Sequence, residues 1–101
     1  MPSYKFTPLA ATDFEQILSY IAADNLTAAE RLKEESKSVL SRLAEMPETG
    51  HVRKDLTDKD VRFWRFYSYL VVYDPKSKPL SIIRVISGFR DVKELLGDES
   101  V

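Results

Sequence analysis

The spacing of apolar residues at the start of the chain predicts a strand and then a helix. Over residues 3–7, two aromatic side chains alternate with polar neighbours, which is the period of two typical of a short strand. Pro8 ends this strand and suits the first turn of a helix. From Ala10 onward, apolar residues recur at i, i+3, i+4 and i+7, on one helical face: Phe14, Ile17, Leu18 and Ile21. This helix is predicted to end near residues 24 and 25.

A second helix follows almost directly. Its apolar stripe covers roughly five turns and comprises Ala29, Leu32, Ser36, Val39, Leu40 and Leu43. Met46-Pro47 stops it, and a turn follows at residues 48–50. Thr12 with Glu15, and Thr27 with Glu30, have the spacing of capping boxes, which predicts the two helix starts there. The two helices should pair as a hairpin.

The second half of the chain changes to β-branched and aromatic residues, which favour strands. After a polar linker over residues 51–60, three strands are predicted: Val61 to Tyr67, Tyr69 to Asp74 and Leu80 to Ser87. Tyr67-Ser68 allows a very tight hairpin, and a turn rich in Pro and Lys joins the last two strands. Such short links make an antiparallel meander. A short terminal helix capped by Asp91 and Glu94 should follow, through Val92, Leu95 and Leu96.

These elements predict an α+β domain in which the helix hairpin covers one face of an antiparallel sheet. The first strand cannot continue the meander, so we expect it beside the last strand or at an edge. The opposite face of the sheet is then the candidate functional face. We expect one domain over residues 1–97 and a frayed tail over residues 98–101.

The length and composition of the chain limit the classes of protein to which it can belong. A chain of 101 residues, 44% hydrophobic and 31% charged, fits one folded domain and not a multidomain enzyme. It has no Cys and so no thiolate chemistry or disulfide. The N-terminus lacks a signal peptide pattern and no apolar run is long enough to span a membrane, so we expect a cytosolic protein without membrane contact.

The net charge of −1 hides a marked asymmetry. Residues 1–49 carry five basic and eight acidic side chains, residues 50–93 carry ten and five, and residues 94–101 carry none and three. A basic segment between acidic ends favours an anionic partner, either nucleic acid or an acidic protein segment. Ordinary surface lysines are the alternative explanation.

The familiar catalytic motifs are missing, with no phosphate loop, nucleophile elbow or zinc-protease motif. We therefore predict no metal and no cofactor. The single histidine, His51, lies in the linker, where we expect its side chain to be exposed. A role as general acid or base stays an open alternative.

Arginines within the strands are the strongest chemical feature. Arg84 lies in Ile82-Ile83-Arg84-Val85-Ile86, and a guanidinium in an apolar strand must be paired or face an open groove. One explanation is an ion pair to Asp55, Asp58, Asp74 or Asp91. The other is a basic groove for phosphate or carboxylate that also includes Arg53, Lys54, Arg62 and Arg65. Trp64, among the strand aromatics, is either a core residue or an anchor for a protein partner.

Several segments, in their order and spacing, resemble the RelE/ParE toxins of bacterial type II toxin-antitoxin systems, and the ParE branch more than the RelE branch. The likeness spans nearly the whole chain and rests on these segments: Ala23-Asp24-Asn25, Leu43-Ala44-Glu45-Met46-Pro47, Arg53-Lys54-Asp55-Leu56, Arg62-Phe63-Trp64-Arg65, Tyr69-Leu70-Val71-Val72-Tyr73 and Arg84-Val85-Ile86-Ser87-Gly88-Phe89-Arg90-Asp91. The His-Gly-x-Arg-Asp motif frequent in ParE-like chains has Ser87 in place of its His.

The resemblance implies a small toxin neutralised by a cognate antitoxin, often a ribbon-helix-helix protein with a disordered tail. ParE-like members poison DNA gyrase, take part in plasmid stabilisation and reach DNA through the gyrase or antitoxin complex. The resemblance then implies a target surface of Arg53, Lys54, Arg62, Arg65, Arg84 and Arg90, with Trp64 as anchor.

Two alternatives stay open. RelE-like members are ribosome-dependent mRNA endonucleases, for which Arg84, Arg65 and Tyr73 are the candidate catalytic residues here, with Tyr67 and Tyr69 as further proton-transfer groups. Ser87-Gly88-Phe89 offers no usual acid or base, which argues against RNA cleavage. The other alternative is a homologue that binds its partner without being toxic.

Overall fold

The elements follow the predicted order. A computed structural model describes residues 3–87. In it, strand β1 (Tyr4–Phe6) leads into helices α1 (Pro8–Asp24) and α2 (Leu26–Glu45). A single 3₁₀ turn (Pro47–Thr49) and a long loop connect α2 to the meander of β2 (Arg62–Phe66), β3 (Tyr69–Asp74) and β4 (Leu80–Ser87). The predicted terminal helix at residues 91–96 and the tail at 98–101 lie outside the described residues.

Both helices begin earlier than the capping boxes predict. The side chain of Thr7, not Thr12, caps α1 by accepting a hydrogen bond from the backbone of Ala10 at 3.1 Å. Asn25, not Thr27, caps α2 through the backbone N–H of Ala28 at 3.0 Å. The prediction was wrong because each true cap lies outside the apolar stripe that located the helix. Only Asn25 separates the two helices, which forces the chain to turn sharply there.

The sheet has the strand order β1-β4-β3-β2. β1 is an edge strand and pairs with the last strand, β4, to which it runs parallel. The sequence predicted a place beside the last strand or at an edge, and β1 occupies both. The other pairs are antiparallel, with an irregularity between Val72 and Tyr73 where β3 pairs with β4. β2 is the opposite edge strand, and its Phe63 pairs with His51 of the preceding loop. The α+β architecture is therefore confirmed.

Both faces of the sheet are buried. Helix residues such as Leu32, Leu40 and Leu43 pack on one face against β-strand residues that include Tyr73 and Ile82. The alternate residues of the strands form a second apolar cluster on the opposite face: Val61, Phe63, Leu70, Val72 and Ile86, with Leu56 and Ile83 at its margin. The loop before β2 contributes Leu56 and Val61 to this cluster. The face expected to be the open, functional one is therefore covered in part by that loop.

Tyr67 makes the tight β2–β3 hairpin with a positive φ of 57°. A bulky residue is rare in this backbone region, which costs roughly 1–2 kcal/mol relative to an extended backbone. Its ring packs edge-on against Phe66 at 4.8 Å between centroids, and its hydroxyl donates a hydrogen bond to Glu35 of α2. The side chain thus ties the hairpin to α2.

Tyr73 holds the 3₁₀ turn and the following loop against the sheet. It is fully buried, donates a hydrogen bond from its hydroxyl to the Pro47 carbonyl at 2.6 Å, and accepts one from the Gly50 N–H at 2.8 Å. A Cβ at Gly50 would overlap the Tyr73 ring, so only glycine allows this close approach. Burial raises the pKa of the Tyr73 hydroxyl above its ordinary value of 10.0.

No helix among residues 3–87 is long and apolar enough to cross a membrane.

We expect Tyr73→Phe to lower the free energy of unfolding by about 1–3 kcal/mol, because it leaves the buried Gly50 N–H and the partly buried Pro47 carbonyl without their partner. Urea unfolding followed by circular dichroism measures this. Tyr20→Phe is the matched control, since Tyr20 is 81% exposed and should tolerate the change. Equal stability of the two variants would contradict a structural role for the Tyr73 hydroxyl.

The raised pKa of Tyr73 also predicts a dependence on pH. The neutral phenol is favoured in the folded state, so its contribution is fully present below pH 10 and is lost as the pH rises through the folded-state pKa. The wild-type protein should therefore lose more stability between neutral pH and strongly alkaline pH than Tyr73→Phe does. Urea midpoints measured across that range test it, and parallel curves for the two proteins would refute the assignment.

Candidate functional site

Arg84 is held by Asp13 of α1. The guanidinium donates from Nε to one carboxylate oxygen at 2.7 Å and from Nη2 to the other at 2.9 Å, a two-point ion pair. The side chains of Arg84 and Asp13 are only 15% and 14% exposed. The hydrogen bond to Asp13 is the main cause that raises the pKa of Arg84 above its ordinary value. This pair is far less exposed than the surface pairs Arg53–Asp55 and Lys76–Asp60.

The Asp13–Arg84 pair lies just beyond the point where β1 ends and no longer pairs with the edge of β4. Beyond Phe6, the Thr7 N–H donates to the Ile82 carbonyl at 3.0 Å and the Thr7 hydroxyl donates to the Ile83 carbonyl at 2.8 Å. Asp13 then accepts from the Val85 N–H at 3.0 Å. The first turns of α1 therefore satisfy the β4 backbone in place of a longer β1.

The sequence predicts other partners for Arg84, and Asp13 is not among them. Asp55 instead pairs with Arg53, and Asp74 accepts from the Lys76 N–H in the turn after β3. Asp91 lies outside the described residues. Asp13 was missed because it lies 71 positions before its partner in the chain. Its position four residues before Ile17, at the margin of an apolar stripe, is the one signal that could have found it.

The loop cations Arg53 and Lys54 are tied to the loop itself. Arg53 makes two hydrogen bonds to Asp55, at 2.9 and 2.7 Å, and these are the main cause that raises the pKa of Arg53. Lys54 donates to the Asp58 carbonyl at 3.4 Å. Nearby, a hydrogen bond from Lys76 at 2.8 Å is the main cause that lowers the pKa of Asp60. Arg53 and Lys76 are thus each paired with a carboxylate, whereas the contact of Lys54 is to a backbone carbonyl.

Arg62 and Arg65 lie on edge strand β2. Arg62 donates to the carbonyls of Glu48 and Gly50, at 3.3 and 2.7 Å, and so helps to hold the 3₁₀ turn against the strand. Arg65 is exposed and donates from Nε to the Tyr67 carbonyl at 3.2 Å. A negatively charged ligand of Arg62 would have to compete with these two carbonyls for the guanidinium.

Trp64, between those two arginines, points to the helix side of the sheet. It is partly buried and stacks on His51, with ring centroids 6.0 Å apart and planes at 13°. His51 is exposed and forms the backbone bridge to Phe63. Trp64 also lines two adjoining concavities between α2 and β2. Trp64 therefore packs against the core and is also accessible to a partner, the two roles that the sequence left as alternatives.

The predicted basic residues do not share one groove. Arg53, Lys54, Arg62, Trp64 and Arg65 lie on β2 or the loop that pairs with it, whereas β3 separates β2 from the strand of Arg84. Arg84 instead lines a concavity of about 560 Å³ between α1 and the end of β4, with Asp13, Tyr20, Tyr69 and Ser87. Arg90 lies outside the described residues.

The three candidate tyrosines have different environments. Tyr73 is buried with both hydroxyl contacts to backbone, as described above, and Tyr67 is bound to Glu35. Tyr69 is partly buried and lines the concavity of Arg84. Among residues 3–87, no three His, Cys, Asp or Glu side chains converge as metal ligands would.

The comparisons with known proteins decide the family. Residues 4–92 match the family model described as the ParE toxin of the type II toxin-antitoxin system parDE. The chain belongs to the ParE toxin family. The likeness to the ParE branch rather than the RelE branch is thereby confirmed.

A solved structure shares the fold of this ParE-family toxin. It is described as a chromosomal ParDE TA system from P. aeruginosa and superimposes with a TM-score of 0.68 at 20% sequence identity, covering 87% of this chain and 97% of that chain. At this identity the match supports the fold. Among the curated proteins, none matches this chain.

We expect the Asp13–Arg84 pair to contribute about 1–3 kcal/mol of coupling energy, because both groups are largely desolvated and hydrogen-bonded at two points. A double-mutant cycle of Asp13→Asn and Arg84→Met, measured by urea unfolding, gives this value. The pair Arg53–Asp55, with side chains 41% and 63% exposed, is the matched control. It should show no measurable coupling, and a larger coupling there than at Asp13–Arg84 would contradict the structural role.

Proposed function

We propose that this ParE-family toxin inhibits bacterial growth by poisoning DNA gyrase and that a cognate antitoxin neutralises it. The observation that carries the proposal is the match of residues 4–92 to the ParE toxin family. The antitoxin is expected to be a ribbon-helix-helix protein with a disordered tail. The toxin would act in the cytoplasm, and one biological outcome would be plasmid stabilisation.

The proposed mechanism is binding without chemistry by the toxin itself. Gyrase passes through a state in which its DNA is cleaved, and a ligand that prefers this state raises its population in proportion to the difference in affinity. The toxin then needs a complementary surface but no acid, base or metal. DNA would be reached only through the gyrase or antitoxin complex.

The proposed target surface is the β2 side of the protein. Arg53, Lys54, Arg62 and Arg65 supply positive charge there, and Trp64 supplies a partly buried aromatic anchor of the kind enriched at protein interfaces. Arg84 and Arg90 are the remaining residues of the target surface predicted from the sequence. The contact of Arg84 with Asp13 assigns it a positioning role, since it holds α1 to β4.

An mRNA endonuclease acting on the ribosome is the second candidate, and the concavity of Arg84 favours it. Tyr69, Ser87 and Arg84 line the same space of about 560 Å³. A nuclease there would use Tyr69 for proton transfer rather than Tyr73, whose hydroxyl is committed to Pro47 and Gly50. A non-toxic binding homologue is the third outcome that the following experiment resolves.

Inducible expression of the toxin without antitoxin in a bacterial host tests these mechanisms. We expect growth arrest with double-strand breaks in chromosomal DNA and intact mRNA. New mRNA ends with intact DNA, abolished by Tyr69→Phe, would favour the nuclease instead. Unimpaired growth with neither lesion is followed by a plasmid cleavage assay with the purified toxin and gyrase from its native host. If the toxin leaves that gyrase unaffected as well, the proposal is contradicted.

A charge variant tests the proposed surface in that plasmid cleavage assay. The double substitution Arg53→Ala with Lys54→Ala should raise the toxin concentration needed for gyrase-dependent DNA cleavage by about tenfold, which corresponds to about 1.4 kcal/mol. Lys33→Ala on the exposed face of α2 is the control and should change nothing. Equal effects of the two variants would rule out the loop as part of the surface.

A further inference from the structure

The imidazole of His51 lies on the indole of Trp64 beside edge strand β2. The ring centroids are 6.0 Å apart and the ring planes differ by 13°, a nearly parallel stack at a distance that aromatic pairs favour. Trp64 is partly buried and lines the two concavities between α2 and β2, whereas His51 is exposed and lines neither. His51 therefore contacts Trp64 from outside those concavities and is the exposed member of the stack.

The backbone that carries this imidazole is fixed to the sheet by four consecutive polar groups. The Gly50 N–H donates to the Tyr73 hydroxyl at 2.8 Å, and the Gly50 carbonyl accepts from Arg62 at 2.7 Å. The His51 N–H donates to the Phe63 carbonyl, and the His51 carbonyl accepts from the Phe63 N–H, each at 2.8 Å. Every backbone N–H and C=O of these two loop residues thus has a partner on β2 or β3.

These contacts give the imidazole a fixed place beside the indole. Phe63, which holds the backbone of His51, is the residue directly before Trp64 in β2. The two rings therefore start from adjacent backbones that cannot move apart, and stacking restricts their remaining side-chain rotations. A side chain that is ordered before binding avoids the entropy cost of being ordered in the complex. The stack thus prepares Trp64 for a partner.

We propose that His51 is a positioning residue of the target surface, where its imidazole holds the Trp64 indole in the orientation that binds the target. This inference rests on the proposed function, because it adds a residue to the surface proposed there for gyrase. Trp64 stays the anchor, since an indole contributes a large apolar area at an interface. His51 acts through Trp64 and supplies neither charge nor a proton.

A purely structural role for His51 makes a different prediction. Its two hydrogen bonds to Phe63 use main-chain atoms, so almost any side chain at position 51 would preserve that bridge. The positioning role instead requires a planar ring that can stack. Removing the ring and replacing it by another ring therefore separate the two roles.

Fluorescence measures the positioning of Trp64 without gyrase, because this residue is the sole tryptophan. His51→Ala should make the indole more accessible to quenching by acrylamide and lower its anisotropy. His51→Phe should leave both quantities close to those of wild type. Val52→Ala is the matched control and should change neither, since Val52 is the next residue and is 49% exposed. Urea unfolding confirms that each variant is folded.

The plasmid cleavage assay with gyrase measures the consequence for the target. His51→Ala should raise the toxin concentration needed for DNA cleavage by about fivefold, because the indole must then be ordered on binding. His51→Phe should behave as wild type. In a Trp64→Leu background, His51→Ala should have no further effect, since the imidazole acts only through the indole.

The proposal is overturned if His51→Ala leaves the quenching and anisotropy of Trp64 unchanged, or if His51→Phe fails to restore gyrase-dependent cleavage. It is also overturned if His51→Ala weakens cleavage equally with and without Trp64, since His51 would then contact the target directly. A wild-type toxin that leaves gyrase unaffected would defeat the proposed function itself. Cleavage by the wild type that His51→Ala does not change would defeat only this inference.

Discussion

The edge of β4 is the constraint on which the rest of the fold depends. β4 has eight residues but its parallel partner β1 has three, so most of that edge must be satisfied by something else. Thr7 and Asp13 provide the missing hydrogen bonds and thereby place the start of α1 on the sheet. Because the same carboxylate also neutralises Arg84, one residue satisfies a strand edge and a largely buried cation. Packing of the helix hairpin alone would leave both groups without partners.

Contacts with the loop before β2 occupy several of the basic side chains in the second half of the chain. The loop before β2 crosses the face away from the helices, and it brings its own carboxylates with it. Arg53 and Lys76 find Asp55 and Asp60 there, while Arg62 binds backbone carbonyls. What remains for a partner is a surface along β2, where charge and an accessible aromatic residue meet. Such a surface is compatible with the binding role proposed above.

The concavity of Arg84 and the two concavities beside Trp64 differ in chemistry. The space near Arg84 combines apolar residues of α1 and β4 with the paired Asp13 and Arg84, whereas the two concavities beside Trp64 are lined mainly by apolar and aromatic side chains and include the exposed Arg42. Tyr69 is a partly buried tyrosine that lines the space near Arg84.

The sequence by itself determined the element order, the α+β class and the family, because apolar periods of 2 and 3.6 are local and the ParE-like segments are spread along the whole chain. It also indicated that Arg84 needs either an ion-pair partner or an open groove, since burying an unpaired guanidinium in an apolar strand is costly. Which partner was decided only by the tertiary structure, because Asp13 meets Arg84 across 71 positions of the chain. The same holds for Tyr73, which reads as a candidate catalytic group until the fold places its hydroxyl between Pro47 and Gly50. Long-range contacts of this kind leave no periodic signal in the sequence, and so they are visible only once the chain is folded.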